Sequence, residues 1–255
     1  MRIIHLSDLH LTTDEKHRNN QNAWRLAEHI ISKYATAPGE TVVVATGDLT
    51  DNALEDERRA LIALLALLRM HFIVLCCPGN HDYACRGIDF TPESVPLFRK
   101  VVRMDAPPIV WQSEHEPITF IGLDSADPQD NVWVARGIIG KQQLAGLNRL
   151  LDLHKKRGRV VVVYLHHHPI VHKVGCALKD NIALMNRMKG RVAACLFGHN
   201  HESGAYIDQF DGLPLLLASG MSTEPDQNNN LSYRVILTHG GRVEQGVYTE
   251  TIRGT

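Results

Sequence analysis

Residues 41–51 read TVVVATGDLTD, and four other stretches of the chain share the order of a buried run followed by polar residues. The first six are β-branched or small and carry no charge, too apolar throughout for a strand with one wet face. They read as a strand buried on both sides, as in a parallel sheet covered by helices. A glycine and an aspartate follow at once, so the buried strand delivers Asp48 at its carboxyl end. Working outward, the same order recurs. Residues 2–6 (RIIHL) lead into SDLH, with Asp8 and His10. Residues 72–76 (FIVLC) lead into PGNHD, with Asn80, His81 and Asp82. Residues 160–165 (VVVVYL) lead into HHHP, and 191–197 (RVAACLF) into GHNH, with His199 and His201. In open α/β sheets ligands bind outside the carboxyl ends of the strands, so five core strands bring Asp, Asn or His to one edge.

Between the strands lie helical patterns. Trp24, Ala27, Ile30, Ile31 and Tyr34 share helical spacing over 22–34, and a leucine-rich helix is predicted over 53–70. Thr91-Pro92-Glu93 reads as N-cap, first helical residue and first-turn acid for a helix over 92–103. Further helices are predicted over 141–154 and 180–188, and paired strands over 107–111 and 117–123. Beyond Gly198 the pattern is all β, over 204–210, 214–218, 231–238 and 242–249, with turns at Asp211-Gly212 and Gly240-Gly241. No Pro-, Gly- or Ser-rich linker divides the chain and no repeat appears. The expectation is a single domain over 1–255 of the α/β (α+β) class, with two mixed sheets face to face and helices outside.

Composition narrows the function. With Lys+Arg at 27 against Asp+Glu at 28, the chain has no electrostatic footprint for a polyanion or an anionic membrane. Nucleic acid is therefore not expected as a partner. The opening MRIIHLSDLHL lacks the unbroken apolar core of about 7–15 residues that a signal peptide needs. Five cysteines, odd in number and without a CxxC pair, argue against a disulfide framework or a cysteine zinc site. A cytoplasmic protein is expected. Fifteen histidines stand out, because imidazole is the commonest metal ligand and acid–base group.

Each motif alone has a bland reading. SDLH could be a helix cap with a surface histidine, TGDLTD a turn whose aspartate caps the next helix, and HHHP a loop. Together, at successive strand ends, they read as a metal centre. Mixed carboxylate and imidazole donors suit Mn, Fe, Zn or Co better than Ca or Mg. One carboxylate can bridge two ions about 3.5–4 Å apart, the spacing of two-metal hydrolases. The neutral carbonyl of Asn80 limits the negative charge facing an anionic substrate.

The ordered set DxH, GD, GNH[DE], His-x-Pro and GHxH, complete here from Asp8 to His201, resembles the calcineurin-like metallophosphoesterases. Ala135-Arg136-Gly137, with Gln142 and Gln143 ahead of a Leu-rich helix, is similar to the branch that includes class III cyclic-nucleotide phosphodiesterases. The resemblance implies a four-layer fold of two facing sheets and two divalent transition metal ions. It implies one ion on Asp8, His10 and His201, the other on Asn80, His199 and His167 (two residues before Pro169), and Asp48 bridging them. On a strand, His166 and His168 would point opposite to His167. The implied mechanism is attack by metal-activated water, with His81 as general acid and Asp82 orienting it. The implied substrate is a small phosphodiester, with a cyclic nucleotide as the specific expectation. A phosphomonoesterase or pyrophosphohydrolase would use the same centre, and a homodimer is compatible with it. A metal-free interaction module would be expected to show degraded motif positions, and none is degraded.

Other features read as structural. The basic run from His154 to Arg159 complements a helix C-terminus, and His5, His29 and His71 carry no functional expectation. Trp133 is a candidate substrate wall, and Tyr83 and Cys85 are candidates for lining the pocket. Substrate choice is expected to lie in loops 12–21, 83–91, 125–137, 169–180 and 220–231.

Overall fold

The computed structural model describes residues 1–37, 39–85, 87, 89–90, 92–126, 135–170, 178–206 and 212–253. The first sheet takes β1 (Arg2–Leu6), β2 (Thr41–Thr46) and β3 (Ile73–Cys77) in parallel. It extends through the late hairpin β12 (Asn230–His239) and β13 (Arg242–Arg253), in the order β13-β12-β1-β2-β3. The second sheet uses β6 (Ile109–Gln112), β7 (Ile118–Gly122), β8 (Val160–Tyr164), β9 (Ala194–Phe197), β10 (Gly204–Tyr206) and β11 (Leu215–Ala218). Its order is β10-β11-β9-β8-β7-β6. A short hairpin, β4 (Ala84–Cys85) with β5 (Asp89–Phe90), follows the PGNHD segment. Every residue of β2 is buried, as its β-branched run requires.

The sheets are mixed because of how their strands connect. Helices α1 (Asn19–Tyr34) and α2 (Glu55–Arg69) carry the chain between parallel neighbours, while two-residue turns can join only antiparallel ones. Apolar residues of both sheets, with Leu26 and Ile30 of α1 and Leu61 and Leu65 of α2, form one buried cluster. The outer face of the second sheet packs on Leu144, Leu147 and Leu151 of α4 (Gly140–Lys156) and Leu184 of α5 (Asn181–Met188), a separate cluster. Helix α3 (Ser94–Val102) begins later than predicted: Pro92-Glu93 form a turn, and Glu93 makes no side-chain cap. The β4–β5 hairpin has no counterpart among the strands expected from the sequence, because two-residue strands leave no alternating pattern.

A polar seam runs under the carboxyl ends of β1 and β2. The Thr46 hydroxyl donates to Ser7 Oγ at 2.8 Å, so the His5 ring supplies the proton in its 2.9 Å bond to Thr46 Oγ1. Its Nδ1 is buried without a partner. Burial first, then the charge of Arg234 across the β1–β12 pair, pushes His5 down to about 3. A folded value below the unfolded one stabilises the protein above about pH 6.5, and that contribution is lost as pH falls toward 3. Wild type is therefore expected to lose about 2 kcal/mol more than His5→Gln between pH 7 and 4.5. Urea unfolding at both pH values checks this, and parallel losses would contradict it.

Candidate metal centre

The side chains singled out by the motifs converge at the carboxyl ends of β1, β2, β3, β8 and β9. Five of them depart from ordinary backbone geometry. Asp8 (φ 53°), His10 (43°), Asp48 (48°), His199 (75°) and His201 (56°) are all left-handed without being glycine. Such conformations cost of order 1–2 kcal/mol each and gather where the surroundings over-determine them, at functional sites. The turns also press backbone onto ligands. A Cβ on Gly198 would stand 2.3 Å from Asp8 Oδ2, and one on Gly79 2.1 Å from Asp48 Oδ1.

Two groups of ligand atoms result. In the first, His10 Nε2 lies 3.2 Å from His201 Nε2, and His201 Nε2 lies 3.5 Å from Asp8 Oδ1. In the second, His166 Nε2 lies 3.1 Å from both Asp48 Oδ2 and His199 Nδ1. Asp48 Oδ2 is also 3.9 Å from His10 Nε2, which places this carboxylate between the groups. Separations near 3 Å are those of atoms that share one ion at about 2.0–2.2 Å. Asn80 gives its Nδ2 to Gly87 O at 3.3 Å, leaving Oδ1 buried with no partner. His167 Nε2 and His199 Nε2 are buried and unpartnered as well. Buried polar atoms are seldom left so, and this donor set of carboxylate, amide oxygen and imidazole fits divalent transition metals.

The structure brings together Asp8, His10, Asp48, Asn80, His81, His199 and His201 as expected, but departs from expectation at two residues. The ligand-spaced group contains His166, not His167. Strand β8 ends at Tyr164, so the alternation that would oppose His166 to His167 has already stopped. The His166 and His167 rings both stand by His199, at 5.0 and 4.5 Å between centroids. His168 turns away, against Phe197 at 4.5 Å and Tyr206 at 5.6 Å. Asp82 does not orient His81. Its oxygens accept from Thr50 N, Thr50 Oγ1 and Gly79 N at 2.8–2.9 Å, which clamps the GDLT turn to the PGNHD turn.

The residue that orients His81 is Asp51, which sequence reasoning passed over although it closes the motif TGDLTD. The His81 Nδ1–H donates to Asp51 O at 2.8 Å, and Asp51 Oδ1 accepts from His10 Nδ1 at 3.0 Å. His10, Asp51 and His81 also lie within ligand distance of one another, but these hydrogen bonds already use Nδ1 of both rings. A ligating histidine whose second nitrogen meets a carboxylate is held in one tautomer and orientation. Asp51→Ala is expected to weaken the ion on Asp8, His10 and His201 about 10–100-fold, read by metal titration; equal affinity would exclude this role. Ser125 is a second residue missed, with Oγ 3.0 Å from His167 Nδ1; a lone serine after a strand gives no sequence signal.

Electrostatics separate the members of the site. Burial alone would raise Asp48, but the charges of His166, His81 and His10 hold it well below the usual carboxylate range. Burial would lower His81 and His166, yet Asp48 outweighs it, aided at His81 by Asp51, so they rise to about 10 and about 9. Burial and the neighbouring His166 push His199 down to about 3. Burial and Asp48 lift Asp82 to about 7 against its backbone donors. His201, Asp51 and His81 form the open side, with side chains 42%, 34% and 24% exposed, while Asp8, Asp48 and His166 make a closed floor. Trp133 and much of the 125–137 loop lie outside the described residues. Among the described residues no helix is long and apolar enough to cross a membrane.

The family model of calcineurin-like phosphoesterases matches residues 1–203. A probable glycerophosphodiester phosphodiesterase, GpdQ, from Arcobacter nitrofigilis is 27% identical over 182 residues, covering 71% of this chain and 61% of that protein. This chain thus spans less than two thirds of that relative's length. Among solved structures, a dimetal phosphatase from Danio rerio has a TM-score of 0.70 at 13% identity, over 100% of this chain and 99% of that one. Calcineurin-like phosphoesterase YfkN from Bacillus subtilis has a TM-score of 0.51 at 13% identity, over 98% and 90%. At these identities the two structures speak for the fold.

Proposed function

We propose, from the premise that the chain belongs to the calcineurin-like phosphoesterase family, that it hydrolyses a small phosphodiester at a dinuclear centre. Membership makes it a metal-dependent phosphoric ester hydrolase; the bond and the residues are the proposal. Asp8, His10 and His201 would hold one divalent ion, Asn80, His166 and His199 the other, with Asp48 shared. The observation that carries this is the place of Asp48, 3.1 Å from His166 Nε2 and 3.9 Å from His10 Nε2. Mn, Fe, Zn and Co fit the mixed oxygen and nitrogen donors. Bound there, two such ions supply Lewis-acid charge for the phosphoryl oxygens and make a water acidic enough to attack near neutral pH.

The chain's own residues do the rest. With Nδ1–H given to Asp51 O, a protonated His81 keeps its second proton on Nε2, on the open side, for the departing alkoxide. An alkoxide is a poor leaving group, so this proton matters more for an alkyl ester than for an anhydride. Asp51 holds His10 and His81 in one frame, and Asp82 locks the two turns that carry Asp48 and Asn80. Beyond the ions, the cationic group that the described contacts set facing the centre is the His81 imidazole rather than a lysine or arginine, which suits a singly charged diester more than a doubly charged monoester. The name of the GpdQ relative points the same way.

The test is turnover by metal-reconstituted protein on bis(p-nitrophenyl) phosphate, p-nitrophenyl phosphate, a glycerophosphodiester and 3′,5′-cyclic nucleotides. Faster hydrolysis of diesters is expected. A wide preference for the monoester would overturn the proposal, and the last two substrates separate a glycerophosphodiesterase from a cyclic-nucleotide enzyme.

A further inference from the structure

His167 stands beside the centre but in neither ligand-spaced group, and its ring is held with unusual care. The residue is fully buried. Ser125 Oγ lies 3.0 Å from its Nδ1 and accepts its backbone N–H at 3.1 Å. The backbone of Gly137 comes so near that a Cβ there would stand 2.5 Å from Cγ and Nδ1 of the ring. The His199 ring is 4.5 Å away, centroid to centroid. One polar atom is left over: His167 Nε2 is buried without a hydrogen-bond partner.

His199 has the matching defect. Its Nδ1 joins the second ligand group, 3.1 Å from His166 Nε2, while its Nε2 is buried and unpartnered. Unsatisfied buried polar atoms are scarce in folded proteins, and here two fall on adjacent imidazoles. A ligating histidine passes its remaining N–H to an outer partner, and loss of that partner lowers metal affinity about 10–100-fold.

We infer that His167 is the outer partner of His199: through one bridging water it accepts the proton on His199 Nε2, and so keeps the Nδ1 lone pair of His199 turned toward the second ion. The inference rests on the dinuclear reading and makes His167 a positioning residue, with His166 as the ligand. The protons are consistent throughout. With Nδ1 of His199 given to an ion, its proton is on Nε2. Accepting there leaves His167 protonated on Nδ1, which donates to Ser125 Oγ. Ser125 Oγ then receives two N–H donors from one residue, one for each lone pair of a hydroxyl. Gly137, within the Ala135-Arg136-Gly137 segment, is the residue whose missing side chain lets the backbone close over this ring.

The experiment is calorimetric titration of the metal-free chain with Mn²⁺, comparing wild type, Ser125→Ala, His167→Leu and His167→Gln. Nitrogen NMR of the Zn²⁺-loaded protein labelled at histidine reads the tautomers. His167→Leu and Ser125→Ala are expected to weaken the second ion about 10–100-fold while the first holds its affinity, which also reports a folded chain. His167→Gln, whose amide oxygen still accepts, should recover most of the loss. The NMR should find the proton on Nε2 in His199 and on Nδ1 in His167. An unchanged second ion in His167→Leu overturns the inference, as does a His167 protonated on Nε2. Two ions retained by His166→Gln but one by His167→Gln would make His167 the ligand and equally refute it. A wild type that binds no second ion refutes the dinuclear reading, and this inference with it.

Discussion

Alanine in place of His81 is expected to slow hydrolysis of alkyl phosphodiesters by about 10²–10⁴-fold, the range that general acid catalysis supplies, with both ions still bound. His81 can be removed without touching either proposed ligand set, because its ring is held by Asp51 rather than by Asp8, Asp48 or Asn80. The Asp51 carbonyl takes the Nδ1 proton at 2.8 Å. The ring meets that of His10 edge-on at 4.6 Å, so it faces the centre from the open side. In the metal-free chain the nearby carboxylates, Asp48 first, lift its pKa to about 10 against burial. The discriminating measurement is kcat across leaving groups. A p-nitrophenoxide departs without a proton and should lose little, while a methoxide should lose most. Equal losses along the series would assign His81 to phosphoryl binding instead, and unchanged turnover would remove it from the reaction.

The second large effect is on stability. Asp124 is buried beyond the end of β7 and accepts from Arg99 Nη2 at 2.6 Å, Arg99 Nε at 3.0 Å and Tyr83 OH at 2.8 Å. Burial raises its pKa even so, with Arg99 opposing. The network joins three elements: α3 through Arg99, the PGNHD turn through Tyr83, and the exit of β7. Gln143 of α4 fastens the last further, taking Asp124 N at 3.0 Å and giving to Asp124 O at 2.7 Å. Removing one partner of a buried ion pair costs about 3–5 kcal/mol, because the other charge stays behind uncompensated. Asp124→Ala is expected at the low end, about 3 kcal/mol, since Arg99 reaches solvent and can relax outward. Asp124→Asn keeps an acceptor for Tyr83 and should lose less. Urea denaturation of the metal-free chains checks both, and a loss under 1 kcal/mol in Asp124→Ala would show that the network is incidental.

These residues show where reading the chain succeeds. The buried runs at 2–6 and 41–46 became strands at those positions, and the run at 160–165 became a strand over Val160–Tyr164, because apolar, β-branched segments have few other ways to be buried. The helix over 53–70 came out as Glu55–Arg69. Element ends fared worse where no side chain marks them, as at α3. Tyr83 was expected near the pocket and instead anchors a buried carboxylate. His154, read as part of a dipole-complementing run, is buried against Thr119, 3.3 Å from its hydroxyl.

By itself the sequence determined that candidate ligand residues follow five buried strands, which the fold shares between two sheets whose carboxyl ends meet at the site; that follows from local chemistry, apolar runs and the glycine turns that end them. Only the tertiary structure decided which imidazole of 166–168 meets Asp48, that Asp51 rather than Asp82 holds His81, and that Ser125 stands behind His167. The physical reason is the same in each case. These contacts join residues 30 to 118 positions apart, set by sheet pairing and by left-handed turns beyond the strand ends, where the two-residue alternation that lets a reader assign faces no longer holds.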